Sequence, residues 1–324
     1  MTFRFPRIAA ALATAVALAL PSLAAQAQPL DGPLHVVVGY APGGASDRVA
    51  RIVADKLGPK LGVAVIVENK PGAGGRLAAQ QIRNTPANQN VLMIGNPAVM
   101  TVAPLVYKDV GYDADKDFVP VSLVNDYDFA LAVGTAVPVK SLSTLIAWIR
   151  ANPEKANYGV PATGSLPHFF GLMVGEKAQV STQVVGYKGS APALTDLIGG
   201  QIPFAFDTLD VDIPQHEAGK IRILAVSGAQ RSPFLPEVPT FKEAGLDLVA
   251  SGWNTFFAPA SMPPAKVSLL AKAIHEVMQD PETQRRFTDS KMTPVASTQA
   301  ETVAMLKKFN AQWAPVVKKS GYQP

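Results

Sequence analysis

Cysteine is absent from the 324-residue sequence. The protein therefore forms no disulfides, and it is not a lipoprotein of the type acylated on an N-terminal cysteine. A metal site would have to use scattered carboxylates, because the four histidines (His35, His168, His216 and His275) do not follow a metal-ligand spacing. Neither a metal nor a cofactor is predicted.

Long apolar runs are also scarce, apart from one near the start of the sequence. Residues 8–20 are apolar, follow Arg4 and Arg7, and precede the small-residue site Ala25-Gln26-Ala27. This three-part pattern is typical of a secretory signal peptide, and the run is too short to span a membrane. We therefore predict a signal peptide over residues 1–27 and a mature protein in the periplasm.

Charge of one sign is not concentrated anywhere in the sequence. The 29 lysines and arginines exceed the 25 acidic residues by four, and removal of the signal peptide would take away two of the arginines. The sequence contains neither a basic run nor a series of aromatic residues for base stacking. Nucleic acid is therefore not an expected partner.

The fold prediction depends most on the stretch from His35 to Leu77. Residues 36–38 are three valines, typical of a buried parallel strand, and Pro42-Gly43-Gly44 ends that strand. Ser46 or Asp47 can then cap a helix that Gly58 and Pro59 are predicted to end. Because a helix start presents unpaired N–H groups and partial positive charge, this turn is predicted to hold an anion. An ordinary strand-to-helix turn without a ligand remains the alternative.

A second turn of the same kind follows the strand predicted at residues 157–160. Its sequence is Pro161-Ala162-Thr163-Gly164-Ser165, with Ser165 as the helix cap and Pro167 in the first helical turn. This turn is predicted to hold an anion too. Neither turn matches the dinucleotide fingerprint or the phosphate loop, so phosphate nucleotides are not indicated.

Two further polar residues follow predicted strands. Asn96 comes after the strand at residues 91–94 and is expected at the same sheet edge as Gly43, where open α/β sheets bind ligands. Asp207 ends the strand at residues 202–206 and could accept a hydrogen bond from a ligand amine or hydroxyl. A helix-capping role is the alternative for Asp207.

The alternation of strands and helices predicts a doubly wound α/β protein, and its length fits two domains as readily as one. A crossover between domains is predicted after residue 124 and a return near residue 250. The predicted division is therefore residues 28–124 and 250–324 for lobe 1 and residues 125–249 for lobe 2.

Six loop sequences, taken in order, resemble the signatures of the Bug receptors, the TctC-like extracytoplasmic solute-binding proteins of tripartite tricarboxylate transporters. The resemblance covers about residues 34–260. The six sequences are residues 41–47 (Ala-Pro-Gly-Gly-Ala-Ser-Asp), residues 67–75 (Val-Glu-Asn-Lys-Pro-Gly-Ala-Gly-Gly), Tyr112-Asp113 with Asp117-Phe118, Thr163-Gly164-Ser165 with His168, Tyr187-Lys188-Gly189 before Gly199-Gly200-Gln201, and residues 235–240 (Leu-Pro-Glu-Val-Pro-Thr) with Glu243 and Gly245.

The resemblance implies a type II periplasmic-binding fold, in which two doubly wound lobes joined by a two-crossover hinge close on a small carboxylate-containing solute. Members of this family hold the carboxylate with backbone N–H groups and hydroxyls of the two turns, together with ordered water. The predicted ligand-binding residues are Tyr40, Gly43, Gly44, Ala45, Ser46, Asp47, Asn96, Thr163, Gly164, Ser165, His168 and Asp207.

The resemblance further implies a monomeric receptor that delivers its solute to the membrane permease subunits of a tripartite transporter. A periplasmic sensor that signals to a membrane regulator is an alternative, since either partner could recognise the closed lobes. A hydrolase is the other alternative, because Ser165 and His168 are three residues apart. That turn lacks the G-x-S-x-G elbow, however, and the sequence offers no acid to orient the imidazole.

Overall fold

Two β-sheets organise the protein, whose computed structural model describes residues 30–324. The predicted signal peptide lies outside the described residues. The strands are β1 (Leu34–Val38), β2 (Val65–Asn69), β3 (Val91–Gly95), β4 (Phe118–Tyr127), β5 (Phe129–Gly134), β6 (Asn157–Val160), β7 (Gln183–Gly186), β8 (Phe204–Thr208), β9 (Ile221–Val226), β10 (Gly252–Pro259) and β11 (Thr293–Pro294).

Helices cover the faces of both sheets. A π-helical turn (Ala98–Val102) leads into the third helix. The α-helices are α1 (Ala45–Leu61), α2 (Arg76–Ile82), α3 (Ala103–Val106), α4 (Leu142–Ala151), α5 (Leu166–Ala178), α6 (Ser190–Ile198), α7 (Leu209–Glu217), α8 (Pro264–Gln279), α9 (Pro281–Asp289) and α10 (Gln299–Lys319). None of the helices in residues 30–324 has the length and apolar composition needed to cross a membrane.

The strand order is β11-β4-β10-β3-β1-β2 in the first sheet and β7-β6-β8-β5-β9 in the second. In the first sheet β1 pairs in parallel with β2 and β3, and in the second β6 pairs in parallel with β7 and β8. Parallel strands bring their carboxyl ends to one edge, so each lobe gathers three loops there. The expectation that Asn96 and Gly43 share a sheet edge is confirmed.

The chain passes between the sheets twice, from β4 to β5 and from β9 to β10. The predicted lobe boundary after residue 124 falls within β4, because β4 continues to Tyr127 and its residues Asn125 and Asp126 pair with β10. Asn125 is almost fully buried, and its side-chain oxygen accepts a hydrogen bond from Asn254 at 2.8 Å. This buried amide pair explains why a polar sequence forms a strand here.

Aromatic side chains join the two lobes at their core. Trp253 of β10 packs against Phe309 of α10 with ring centroids 5.6 Å apart, and Phe309 lies 5.9 Å from Trp313. Trp313 in turn meets Phe129 of β5 edge-to-face at 6.5 Å. The last long helix therefore ties the first sheet to the second through buried rings.

The first helix differs from its prediction at both ends. Gly44 occupies the N-cap position and no side chain caps the helix there, so the prediction of Ser46 or Asp47 as cap is wrong. The helix also continues beyond Gly58-Pro59 to Leu61, where Gly62 adopts a left-handed conformation and donates its N–H to Gly58.

Candidate ligand-binding site

A cavity of about 590 Å³ lies between the carboxyl-end loops of the two lobes. Tyr40, Gly74 and Asn96 line it from the first lobe, and residues 161–167 and 187–190 line it from the second. Its volume falls within the roughly 300–1,000 Å³ typical of small-molecule sites. This is the cleft in which opposed loops could enclose a solute.

Tyr40 connects the three loops of the first-lobe wall. Its hydroxyl lies 3.1 Å from the side-chain oxygen of Asn96 and 3.2 Å from the carbonyl oxygen of Gly74. Burial raises the pKa of Tyr40 to about 12, so the hydroxyl keeps its proton at neutral pH. The loops after β1, β2 and β3 are thus held together at one point of the cavity wall.

The second-lobe wall is the turn that begins α5. Ser165 is the N-cap as predicted: its hydroxyl oxygen accepts the N–H of His168 at 3.4 Å, and the hydroxyl donates to Ala162 at 2.7 Å. Pro167 has no N–H to offer. Of the first helical positions, Leu166 keeps an N–H group for which no hydrogen bond is found within residues 30–324. The anion site predicted here therefore retains part of its donors.

His168 lies behind this turn and does not line the cavity. Its Nδ1 accepts the N–H of Gly164 at 3.0 Å, and its ring packs against Phe169 and Tyr322. The Ser165 hydroxyl meets the His168 backbone, so this pair does not form the nucleophile–base contact of a hydrolase. His168 thus positions the turn.

The pKa of His168 gives a testable consequence for stability. Burial lowers this pKa to about 4, whereas the histidine of an unfolded chain titrates near ~6.5. The unfolded chain takes up the proton first, so the stabilisation from neutral His168 is complete above pH ~6.5 and is lost as the pH falls toward 4. We expect the loss to reach ~3 kcal/mol.

The matched comparison for this prediction is His168→Asn, whose amide oxygen branches from Cγ where Nδ1 does and can still accept the Gly164 N–H, but which does not titrate. Denaturant unfolding of both proteins at pH values from about 7.5 to about 4.5 measures the effect. This pH range covers most of the interval between the pKa of His168 in the unfolded chain and its pKa of about 4 in the folded protein. The wild-type protein should lose more stability than the variant on acidification. Parallel pH profiles would contradict the assignment.

The first predicted anion site, residues 43–47, is occupied by a carboxylate of the chain itself. The Asp47 carboxylate accepts the Gly43 N–H at 2.8 Å and the Asn69 amide at 2.8 Å. Although burial raises it, hydrogen bonds from Arg51 and Gly43 hold the pKa of Asp47 below its usual value. Only Tyr40 and Ala41 of this first loop line the cavity.

The remaining residues of that turn are also outside the cavity lining. Ser46 is buried and donates its hydroxyl to Asn254 at 2.8 Å. Gly44 and Ala45 form the start of α1 outside the lining. One helical turn further on, Arg48 forms an ion pair with Asp210 of α7 at 2.8 Å, which joins the two lobes. The start of α1 therefore stabilises the structure through a hydrogen bond to Asn254 and an ion pair between the lobes.

Asp207 lies one layer behind the second-lobe wall. It is buried, its carboxylate accepts the Thr208 N–H at 2.7 Å, and Ser190 also bonds to it. Burial raises its pKa to about 7. Thr208 and Ser190 line the cavity, whereas Asp207 does not. The predicted contact between Asp207 and a ligand amine is therefore not formed at the cavity surface.

Tyrosine is the main feature of the lining, and sequence reasoning predicted only Tyr40 of this group. Five of the seven tyrosines line the cavity: Tyr40, Tyr107, Tyr127, Tyr187 and Tyr322. Three of them, Tyr40, Tyr127 and Tyr187, lie at or just after the end of a strand, and this position in the sequence could have indicated that they line a ligand site. The other two follow helices, so their position depends on tertiary packing and had no local signal.

The charges of the lining favour an anion. Arg76 and Lys188 line the cavity, and no aspartate or glutamate of residues 30–324 does. A second depression of about 800 Å³ has the opposite character, because it is lined by four aspartates within residues 109–117 together with three cations. Within residues 30–324 no cluster of three or more histidine, aspartate or glutamate side chains is arranged to hold a metal ion.

Comparison with known proteins gives consistent matches over most of the chain. A family model described as "Tripartite tricarboxylate transporter family receptor" matches residues 49–322. The protein BugT of Bordetella pertussis is 30% identical over 291 residues, which are 89% of this chain and 89% of that protein.

Two solved structures that contain a bound acid have the same fold. One is R. palustris Rpa4515 with adipate, 31% identical with a TM-score of 0.84, covering 91% of this chain and 99% of its own. The other is MatC (Rpa3494) from Rhodopseudomonas palustris with bound malate, 27% identical with a TM-score of 0.79, covering 89% of this chain and 99% of its own.

Proposed function

Because the chain belongs to the family of tripartite tricarboxylate transporter receptors, we propose that it captures a small organic carboxylate between its lobes in the periplasm and delivers it to the permease subunits of such a transporter. The family consists of receptors that bind solutes, which confirms the prediction of a solute-binding protein rather than an enzyme. The predicted two-lobed periplasmic-binding fold is confirmed by the same relatives.

The observation that carries the carboxylate proposal is the chemistry of the cavity lining. It combines two cations, several hydroxyl groups and the start of α5, and it includes no acidic side chain. Such a wall stabilises a negative charge and disfavours a cationic solute. The adipate and malate held by the two related structures are acids of the size that this cavity accepts.

The proposed contacts follow from the lining. Tyr40 and Asn96 face the solute from the first lobe, and Thr163, Gly164 and Ser165 face it from the second. In this proposal Gly43, Gly44, Ala45, Ser46, Asp47, His168 and Asp207 support these residues from behind.

Hydrogen bonds alone supply enough free energy for this kind of binding. A charge-assisted hydrogen bond contributes roughly 1.5–3 kcal/mol. Micromolar affinity corresponds to about 8 kcal/mol. Four such bonds supply up to about 12 kcal/mol, and an association cost of about 4 kcal/mol leaves about 8 kcal/mol, so the carboxylate on the α5 turn needs no arginine.

Calorimetric titration of protein that has been unfolded and refolded to remove any co-purified solute tests the proposal. Adipate and malate should bind, and the corresponding diamides, which have the same shape without the charge, should bind at least about tenfold more weakly. Equal affinity for acids and amides, or binding of neither acid, would contradict the proposal. Solute uptake by cells that lack the gene, measured beside cells that carry it, tests delivery to the transporter.

A further inference from the structure

Arg76 stands out among the arginines of the described chain. It is half-buried, it lines the cavity, and no hydrogen bond or ion pair of its guanidinium is found within residues 30–324. Every other arginine in that range bonds to a carboxylate or carbonyl oxygen or, like Arg285, is exposed. A partly desolvated cation without an anionic partner is unfavourable, so a bound anion would complete this site.

The position of Arg76 is fixed by its neighbours. Its guanidinium carbon lies 3.4 Å from the centroid of the Tyr107 ring, a cation–π contact that holds the planar group against one face of the cavity. Arg76 is the first residue of α2 and follows Gly75, whose φ is +92°. A Cβ at Gly75 would lie 2.7 Å from Val99 and 3.3 Å from the Tyr40 ring. Glycine there lets α2 begin directly beside Tyr40.

Arg76 and the α5 turn belong to different lobes and line the same cavity. The turn offers backbone and hydroxyl donors to one carboxylate, and Arg76 offers several N–H donors in a fixed planar arrangement that matches a second one. We propose that Arg76, positioned by Tyr107, binds a second anionic group and makes this receptor selective for solutes with two acidic groups. This inference rests on the proposed carboxylate site and assigns its second anchor.

Matched acid pairs test the proposal by calorimetry on the refolded protein. Succinate and adipate are each compared with the monoacid of equal chain length, butanoate and hexanoate. The wild-type protein should prefer the diacid of at least one pair by about 10- to 100-fold, the range expected of one charge-assisted pair. Arg76→Gln should reduce this preference to less than about threefold, because it weakens diacid binding more than monoacid binding.

Two further variants separate the specific role of Arg76 from general effects. Lys188→Gln removes the other, exposed cation of the lining and should retain the diacid preference. Tyr107→Leu should lower the preference because it frees the guanidinium, and Tyr107→Phe should keep it because the ring remains. Tyr107 is thus tested as a positioning residue by rescue with the conservative variant.

The outcomes distinguish this inference from the function on which it rests. If the wild-type protein binds both acids of each pair and Arg76→Gln keeps the diacid preference, the assignment of Arg76 is wrong while the carboxylate site stands. Loss of the preference in Lys188→Gln but not in Arg76→Gln overturns it in the same way. If the wild-type protein binds neither malate nor any of these four acids, both proposals fail.

Discussion

Gly164→Val should lower the affinity for a bound carboxylate by at least about 100-fold while leaving the secondary structure intact. Gly164 has a φ of +78°, and a Cβ there would lie 3.0 Å from the Tyr322 ring at the cavity wall. A β-branched side chain must therefore shift the turn that presents the donors of α5. Calorimetric titration with adipate, together with circular dichroism, measures both parts of this expectation.

A control variant separates the effect of backbone strain at a positive φ from the effect of a side chain placed in the cavity wall. Gly62→Val places valine at a φ of +69° with no atom within 4 Å of the new Cβ, at the end of α1 and outside the cavity lining. Its backbone strain is similar, so its stability should fall comparably while its adipate affinity stays near that of the wild-type protein. Similar losses of affinity in both variants would show that Gly164 acts through stability alone.

Gly39→Ala should both destabilise the protein and weaken carboxylate binding. A Cβ at Gly39 would lie 2.8 Å from the Cα and 3.1 Å from the carbonyl oxygen of Gly75, so it must push apart the loops that the Tyr40 hydroxyl joins. Overpacking of this kind costs about 1–3 kcal/mol. A shift of roughly 2–4 °C per kcal/mol is typical of large domains, so the melting temperature should fall by about 2–12 °C.

Gly44→Ala is the matched substitution in the neighbouring turn. Its φ is −71° and its nearest contact would be 3.6 Å, from the carbonyl oxygen of Ala41, which is ordinary van der Waals distance. We expect this variant to bind like the wild-type protein and to lose only about 1 kcal/mol of stability, the cost of alanine at the N-cap position that Gly44 occupies. If Gly39→Ala behaves like Gly44→Ala, the close packing of the two glycine turns does not control the site.

The sequence predicted the architecture well because strands and turns follow local rules. The β-branched run of β1 and the strand at Asn157–Val160 each end at a proline-containing turn, which gives them clear boundaries. The Ser165 cap was also predictable, since its hydroxyl and the following Pro167 are a helix-start pattern.

The site was predicted less completely because its residues meet through tertiary contacts. A helix start predicts free N–H groups, but whether the chain fills them with its own carboxylate depends on the placement of Asn69 and Arg51 around Asp47. Arg76 gives no sequence signal either, since its exposure to the cavity follows from the Gly75 turn and the Tyr107 ring. In both cases tertiary contacts, which local sequence patterns do not predict, determine what the residue does in the site.

The most direct test of the account is a two-dimensional amide NMR titration of the refolded protein with adipate. We predict that the largest chemical-shift changes occur at residues 163–166 of the second lobe and at Gly74 and Asn96 of the first, because these residues face each other across the cavity. Changes confined to residues 43–47, or to the aspartate-lined depression at residues 109–117, would contradict the claim that the acid binds between the lobes.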